Sequence, residues 1–338
     1  MEGTGLVLAG GGGKGIYQVG MIKSLSEAGL LDDVVAVSGT SIGGVNAVLF
    51  SEGIAEGGFK NMIEQMESAW KDIDYKVFFN VDPNMIHAGD SHFSRNATES
   101  LIDKYLDYSC FNSESEKAAM PTIVTAARCP VNVVTTQQIT DEEIKLLTSA
   151  SVEEAYGNYI AEYMSLMDKP QEYIKNAILA TTALPVIYNP VNVDGSLYVD
   201  GGVKDNIPIK PLYDLGIRRF IVIELNTESG LTDTTEFADA EIIDILPSHD
   251  LGKLISGTMN FDRDDLAVKK EIGVRDGRRY VKTLFEKDEI YIKLERELAM
   301  RDYDDIVKNI QFEKKYSQLE SDVSSRFDYI KNIEDMYK

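Results

Sequence analysis

The stretch that most restricts what this chain can fold into is Val34-Val-Ala-Val-Ser-Gly-Thr-Ser-Ile-Gly-Gly44, and within it Ser41. Val34 to Val37 are apolar β-formers and read as a buried strand. Gly39-Thr-Ser-Ile-Gly43 follows at once as a G-x-S-x-G match, and Gly44 to Phe50 reads as a helix ending near Gly53. This is the strand-to-helix setting that a nucleophile elbow needs. The sharp turn lifts the Ser hydroxyl clear of the backbone, and Gly39, Gly43 and Gly44 let strand and helix approach closely. The Ile42 N–H then points into a helix N-terminus, where developing negative charge is stabilised. A plainer reading fits the same letters: a tight Gly-rich turn whose Ser caps a helix.

A second glycine turn precedes the first. Gly5-Leu-Val-Leu-Ala9 reads as a buried strand, and Gly10-Gly-Gly-Gly-Lys-Gly15 as the turn. Ile16 to Ala28 reads as a helix with Tyr17, Met21, Ile22 and Leu25 on one face and Gly29 as its stop. The order β-α-β-α predicts a sheet that is at least partly parallel, with helices on both faces. Lys14 is followed by Gly15, so a Walker A loop fails. A dinucleotide loop fits Gly10-x-Gly12-x-x-Gly15, but it wants an acidic residue near the end of the second strand, roughly 20 residues on. Ser38 and Gly39 stand there instead. A third reading is an oxyanion hole, with unhindered N–H groups at a helix N-terminus aimed at a carbonyl that Ser41 would attack. Adjacent parallel strands bring both turns to one sheet edge, so the two motifs support each other.

Composition removes several classes. The chain has 338 residues, 43% of them hydrophobic, which suffices for one large core or a core plus an appendage. A net charge of −22 argues against nucleic acid as a partner and against electrostatic docking on anionic membranes. Lipid contact is then expected to be transient and apolar, or confined to a locally basic patch. Cys110 and Cys129 imply no disulfide framework, and no signal peptide or transmembrane segment is visible, so a cytoplasmic location is expected.

Further along, Gly57 to Asp74 reads as a helix, 80–95 as a loop carrying His87 and His92, and Asn96 to Leu106 as a helix. Pro121 to Ala127 and Val131 to Thr136 look like paired strands. Thr140 to Pro170 reads as a polar helical stretch, either a lid over the site or a solvated insert. Gln171 to Thr182 is a helix that ends before Pro185. Val186 to Val199 alternates and turns at Asp194-Gly195, a hairpin that delivers Asp200-Gly-Gly202 at a strand end. Asn206-Ile-Pro208 follows, then strands at Arg219 to Leu225 and Ile242 to Leu246. After Asp250 charged residues dominate and strands give way to helices. A nucleophilic Ser needs a base, and the only His downstream of Asp200 is His249, on no recognisable motif.

Gly10-Gly-Gly-Gly-Lys-Gly15, Gly39-Thr-Ser-Ile-Gly43 and Asp200-Gly-Gly202, in that order, resemble the patatin-like phospholipase family. Ala180 to Pro185, Val191 to Asn206 and Arg219 to Leu225 agree with it. The resemblance covers about 5–226 and implies a three-layer α/β/α fold with a mixed, mostly parallel central sheet. In that reading 5–226 is the catalytic domain; outside it, the residue pattern alone reads 227–250 as completing the core sheet and 251–338 as a mainly helical appendage. The resemblance also implies acyl ester hydrolysis by a Ser–Asp dyad without His, Ser41 being nucleophile and Asp200 base. Gly10, Gly11, Gly12 and Gly13 would supply the oxyanion N–H groups, with that of Ile42. Lys14, Gly15, Gly39, Gly43, Gly201 and Gly202 support the motifs. Two departures are Ala9, where many members carry an acidic residue, and Lys14, where Arg is common.

The expected function is therefore a serine acyl hydrolase of phospholipids or other glycerolipids. Alternatives are a soluble carboxylesterase or thioesterase for shorter acyl chains, and a nucleotide-binding module built on the glycine loop. No metal or other cofactor is expected, since the acidic residues form no recognisable Ca²⁺ loop.

Overall fold

The computed structural model describes residues 1–73, 80–81, 93–94, 96–130, 156–185, 187–283, 294–295, 297–298 and 302–315. Its centre is an eight-stranded mixed sheet. β1 (Thr4–Leu8), β2 (Val34–Thr40), β5 (Thr122–Arg128), β9 (Arg219–Ile223) and β10 (Glu241–Ile245) run parallel in the order β10-β9-β1-β2-β5. β6 (Ile160–Ser165) and the hairpin of β7 (Val191–Val193) and β8 (Ser196–Asp200) run antiparallel to their neighbours. A small separate ribbon pairs β3 (Asn80–Val81) with β4 (Phe93–Ser94) inside the stretch expected to be loop.

Alternation along the central strands builds two apolar layers, because successive side chains leave opposite faces. Leu6, Leu8, Ile221 and Ile223 pack on one face against α1 (Ile16–Glu27), α2 (Ile42–Asp72) and α6 (Arg263–Thr283). On the same side Val124 and Ala126 pack against α3 (Asn96–Tyr105) and α4 (Gln171–Thr181). Val7, Phe220 and Val222 pack on the other face against Leu212 of the short α5 (Lys210–Asp214). The result is helix, sheet, helix.

α1 stops where expected. Gly29 takes φ 72°, and the Leu30 N–H reaches back to Leu25 O at 3.0 Å, closing the helix in a left-handed C-terminal turn. α2 is a helical hairpin. Gly57 and Gly58 leave helical geometry, with φ −169° and 74°, and Trp70 Nε1 donates to Asn46 Oδ1 at 2.9 Å. A straight helix would hold residues 46 and 70 roughly 36 Å apart, so the second half folds back along the first. The two helices expected at Gly44–Gly53 and Gly57–Asp74 are its two arms. The β7–β8 turn at Asp194-Gly195 has φ 48° and 83°, the paired positive values that a two-residue hairpin of right-handed twist prefers.

Some of the polar stretch expected to be a helical lid or insert is a strand. Ile160–Ser165 pairs with β5 from Ile123↔Ser165 to Arg128↔Ile160. Its polar texture is that of an edge strand, where Glu162 lies 3.5 Å from Arg128 across the ladder. The expected strand at 131–136 and the rest of the stretch up to 155 lie outside the described residues, as do His87 and His92.

α6 and α1 cross at very short range. A Cβ on Gly20 would stand 2.1 Å from Lys270 O, and one on Gly273 2.2 Å from Tyr17 O. Ser24 Oγ donates to Val274 O at 2.8 Å across the same contact, and Glu67 of α2 takes Lys23 and Lys270 at 3.1 and 2.9 Å. Beyond α6, residues 303–315 form a further helix, and Ile306 joins the core. Replacing Gly273 by Leu must push the two helix backbones apart, a strain that no rotamer change can relieve. The expected loss is at least about 2 kcal/mol, a fall of about 3 °C or more in melting temperature by calorimetry.

Candidate active site

β5 brings the site together. One of its edges is taken by β6 throughout, so β2 and β8 share the other. β2 runs parallel to β5 and ends with Thr40 opposite Thr125. β8 runs antiparallel and ends with Asp200 opposite Ala126. The two C-terminal ends thus meet nose to nose at consecutive residues of one strand, with Ser41 next after Thr40.

Ser41 has φ 55° and ψ −128°, a strained conformation for a residue with a side chain. Glycine makes the turn feasible: a Cβ on Gly39 would lie 2.3 Å from Gly43 O. Gly44 and Val45 N–H bond to Ser41 O, so α2 starts at the elbow. Although Ser41 occupies the N-cap position, its side chain makes no capping hydrogen bond, which removes the reading of Ser41 as a helix cap. The Ser41 N–H is instead taken by Thr181 Oγ1 at 2.8 Å, and that hydroxyl donates to Thr125 O at 2.5 Å. Thr181 therefore ties the elbow to β5.

Asp200 is buried at the end of β8. Its N–H donates to Ala183 O at 2.8 Å, and its Oδ1 accepts from Gly202 N–H at 2.8 Å, which aims the carboxyl back over the turn. Gly201 passes directly above β5, close to Thr125 O. Four residues past Gly202, Asn206 reaches the glycine loop: Nδ2 donates to Gly10 O at 3.2 Å, and the Gly10 N–H donates to Asn206 O at 3.3 Å. This corrects one expectation. Gly10 was expected among the oxyanion donors, but its N–H is already spent on Asn206.

Past Gly10 the chain makes a 3₁₀ turn at Gly12–Gly15, with Gly12 at φ 55°. The N–H groups of Gly11, Gly12, Gly13 and Ile42 meet no acceptor among the described residues. Gly11, Gly12 and Ile42 line the cavity with Ser41 and Asp200. Gly13 is buried behind it, close against Asn260 O. Lys14 also points away, its Nζ donating to Asn226 Oδ1 at 2.8 Å. Burial pulls its ammonium below the usual lysine range, Asp250 opposing and Lys269 adding to the effect. Gly15 sits against the Ile42 side chain, at the start of α1.

The cavity measures about 410 Å³, within the range of small-molecule sites. Leu184, Ile187 and Tyr188 form one apolar wall; Leu254, Met259 and Phe261 form another, from a π-helical turn at Leu254–Thr258 and the residues after it. The second wall carries no motif, and sequence reasoning missed it. It also missed the tie of Thr181 to Ser41 and that of Asn206 to Gly10. Among the described lining residues the one charged side chain is Asp200. His249 lies elsewhere, its Nδ1 2.8 Å from Ser248 Oγ and its ring stacked on Tyr303. No three of His, Cys, Asp and Glu gather into a metal-holding group among the described residues.

With this geometry in view, a model of the patatin-like phospholipase family matches residues 6–213. The chain belongs to that family. The match takes in both glycine turns, the elbow and the Asp200 turn, and stops before the wall of Leu254, Met259 and Phe261. Curated relatives include lysophospholipase nte1 of Aspergillus terreus, 24% identical over 68% of this chain and 13% of that protein. Lysophospholipase NTE1 of Cryptococcus neoformans is 25% identical over 70% of this chain and 12% of its own. Neuropathy target esterase sws of Drosophila melanogaster is 25% identical, with coverage of 70% and 14%. The chain thus spans only about an eighth of the length of the first of these relatives. Among solved structures, VipD from Legionella pneumophila aligns over 84% of this chain and 67% of that one, at TM-score 0.41 and 14% identity, too distant to carry an inference.

Thr181→Val should leave the Ser41 N–H without an acceptor in a part-buried site. The expected cost is about 1–3 kcal/mol in chemical denaturation, with Thr181→Ser close to the parent protein.

Proposed function

We propose that this protein is a serine acyl hydrolase that cleaves fatty-acyl esters of phospholipids or other glycerolipids. The observation that carries the reading is the meeting of the β2 and β8 ends on β5, which sets Ser41 and Asp200 on one apolar cavity. In this reading Asp200 accepts the Ser41 proton as Oγ attacks the acyl carbonyl carbon. The carbonyl electron pair moves onto oxygen, and the N–H groups of Gly11, Gly12 and Ile42 hold that oxyanion. The alcohol leaves with the proton returned by Asp200, and an acyl-enzyme remains. Water, giving a proton to Asp200, then attacks the acyl-enzyme; the bond from the acyl carbon to Ser41 Oγ breaks, Oγ takes the proton back from Asp200, and the fatty acid is released. A carboxylate is a weaker base than imidazole, and the free N–H groups offset this by lowering the energy of the tetrahedral intermediate.

The cavity suits a neutral acyl chain. Its walls are apolar, and no cation lines it among the described residues, so a phosphate would find no charged partner inside. Lys14, which a nucleotide site would need, is turned to Asn226. A phospholipid would then keep its head group outside and thread one acyl chain past Ser41. Relatives named lysophospholipase agree with a lipid that presents a single chain. No described helix is long and apolar enough to cross a membrane, and contact with a lipid surface is proposed to be transient and apolar.

The test is a panel of phospholipids, lysophospholipids and short-chain esters, with a fluorophosphonate probe to label the nucleophile. Ser41→Ala should abolish labelling, and both it and Asp200→Asn should cut kcat/KM by at least about 10³–10⁴-fold. His249→Gln should stay within a few-fold. Turnover that survives Ser41→Ala in folded protein, or that is lost with His249→Gln alone, would sink the dyad.

A further inference from the structure

Beneath the glycine loop lies a chain of three buried polar side chains that no motif announces. Gln18 and Asn46 are 0% exposed and Trp70 3%. Trp70 Nε1 donates to Asn46 Oδ1 at 2.9 Å; Asn46 Nδ2 donates to Gly15 O at 2.9 Å and to Gln18 Oε1 at 2.8 Å. Gln18 Nε2 donates to Ala9 O at 2.8 Å and to Ile223 O at 3.2 Å.

The polarity of this chain has only one solution. An indole N–H can only donate, so the Asn46 atom facing it must be the oxygen. The Asn46 amino group then faces Gly15 O, which can only accept, and the Gln18 oxygen. That orientation in turn points the Gln18 amino group at Ala9 O and Ile223 O. Both amides are held in one orientation by partners with no choice of role, and every amide proton and oxygen is used. A satisfied buried network of this kind is stiff, because any rotation strands a donor in a medium without water.

What the chain connects matters more than its stiffness. Ala9 O lies immediately before the glycine loop and Gly15 O closes it, so both hinges of the loop are held. The holder, Asn46, rides five residues after Ser41 on the helix that the elbow starts. We infer that Gln18, Asn46 and Trp70 are positioning residues that fix the oxyanion loop against the nucleophile, so that the Gly11 and Gly12 N–H groups stand ready before substrate arrives. The inference rests on the acyl-hydrolase reading above. It adds that transition-state stabilisation depends on polar side chains behind the loop that never touch substrate.

The variants are Gln18→Met, which keeps the length and apolar bulk but removes the hydrogen bonds, and Trp70→Phe, which removes the indole donor together with part of the ring that packs in the core. Two ligands separate the roles. A trifluoromethyl ketone adds Ser41 Oγ to its carbonyl carbon, the carbonyl pair becoming an oxyanion and the serine proton passing to Asp200. The matching methyl ketone binds without addition. Gln18→Met should lower kcat on p-nitrophenyl butyrate by about 10- to 100-fold. KM should stay within about threefold, with trifluoromethyl ketone affinity falling in step with kcat and methyl ketone affinity unchanged. Trp70→Phe should show the same pattern at a few-fold, and it decides the matter if Gln18→Met does not fold. Melting curves run alongside. A lower melting temperature with kcat unchanged in the folded variants overturns the relay and leaves the enzyme reading intact. So does an equal loss of affinity for both ketones. Parent protein that forms no adduct with the trifluoromethyl ketone overturns the reading itself, and the relay with it.

Discussion

Everything in the site depends on a shared edge. β5 offers one line of backbone N–H and C=O groups to two strands of opposite direction, and each strand takes half of it. A strand end that pairs on the ladder is fixed in register to within a residue. Thr40 and Asp200 are therefore set side by side by hydrogen bonding of the sheet, with no need for a flexible loop to find its place. A purely parallel sheet could not do this, because its strand ends lie abreast and never meet head-on. The antiparallel hairpin of β7 and β8 is what turns a doubly wound sheet into this kind of site.

Around that fixed point the glycine loop is tethered from three directions. Asn206 holds Gly10 from the Asp200 side, Asn46 holds Gly15 from the Ser41 side, and Gln18 holds Ala9 from below. Apolar walls complete the cavity, one from the segment after α4 and one from the segment after β10. Of these elements only the second wall lies outside the region matched by the family. The wall is itself held from behind: Lys269 of α6 is buried and points its Nζ at Gly257 O and Asp265.

Much of this was legible in the sequence, for a physical reason. The elbow, the glycine turn and the Asp200 turn are local objects, and each demands small residues at fixed spacing within a few positions. The central strands were legible because they are buried on both faces and written in Val, Ile and Leu. What stayed hidden is long-range or polar. The Gly10 N–H looked free because its acceptor, Asn206 O, comes from 196 residues away. β6 was hidden because it is a short edge strand with Glu162 in its middle and little apolar alternation. α6 was legible only as part of a helical end, because its buried face interleaves Leu266, Ile272 and Val274 with Gly273, Gly277, Lys269 and Asp276, and its tight crossing with α1 is long-range. Gln18, Asn46 and Trp70 share no period, since they come together only when α2 doubles back at Gly57-Gly58.

The crossing of α1 and α6 also bears on how the molecule comes into being. α1 begins at the end of the glycine loop, and its partner surface lies 250 residues later in the chain. At a synthesis rate of about 5–20 residues per second, that surface reaches the ribosome exit on the order of ten to fifty seconds after α1 does. Until then the face of α1 that carries Tyr17, Gly20 and Ser24 has no cover, and contacts this remote are slow to close. The helix that follows the glycine loop gets its partner only from the last third of the chain. The proposed site would thus be completed only late in synthesis.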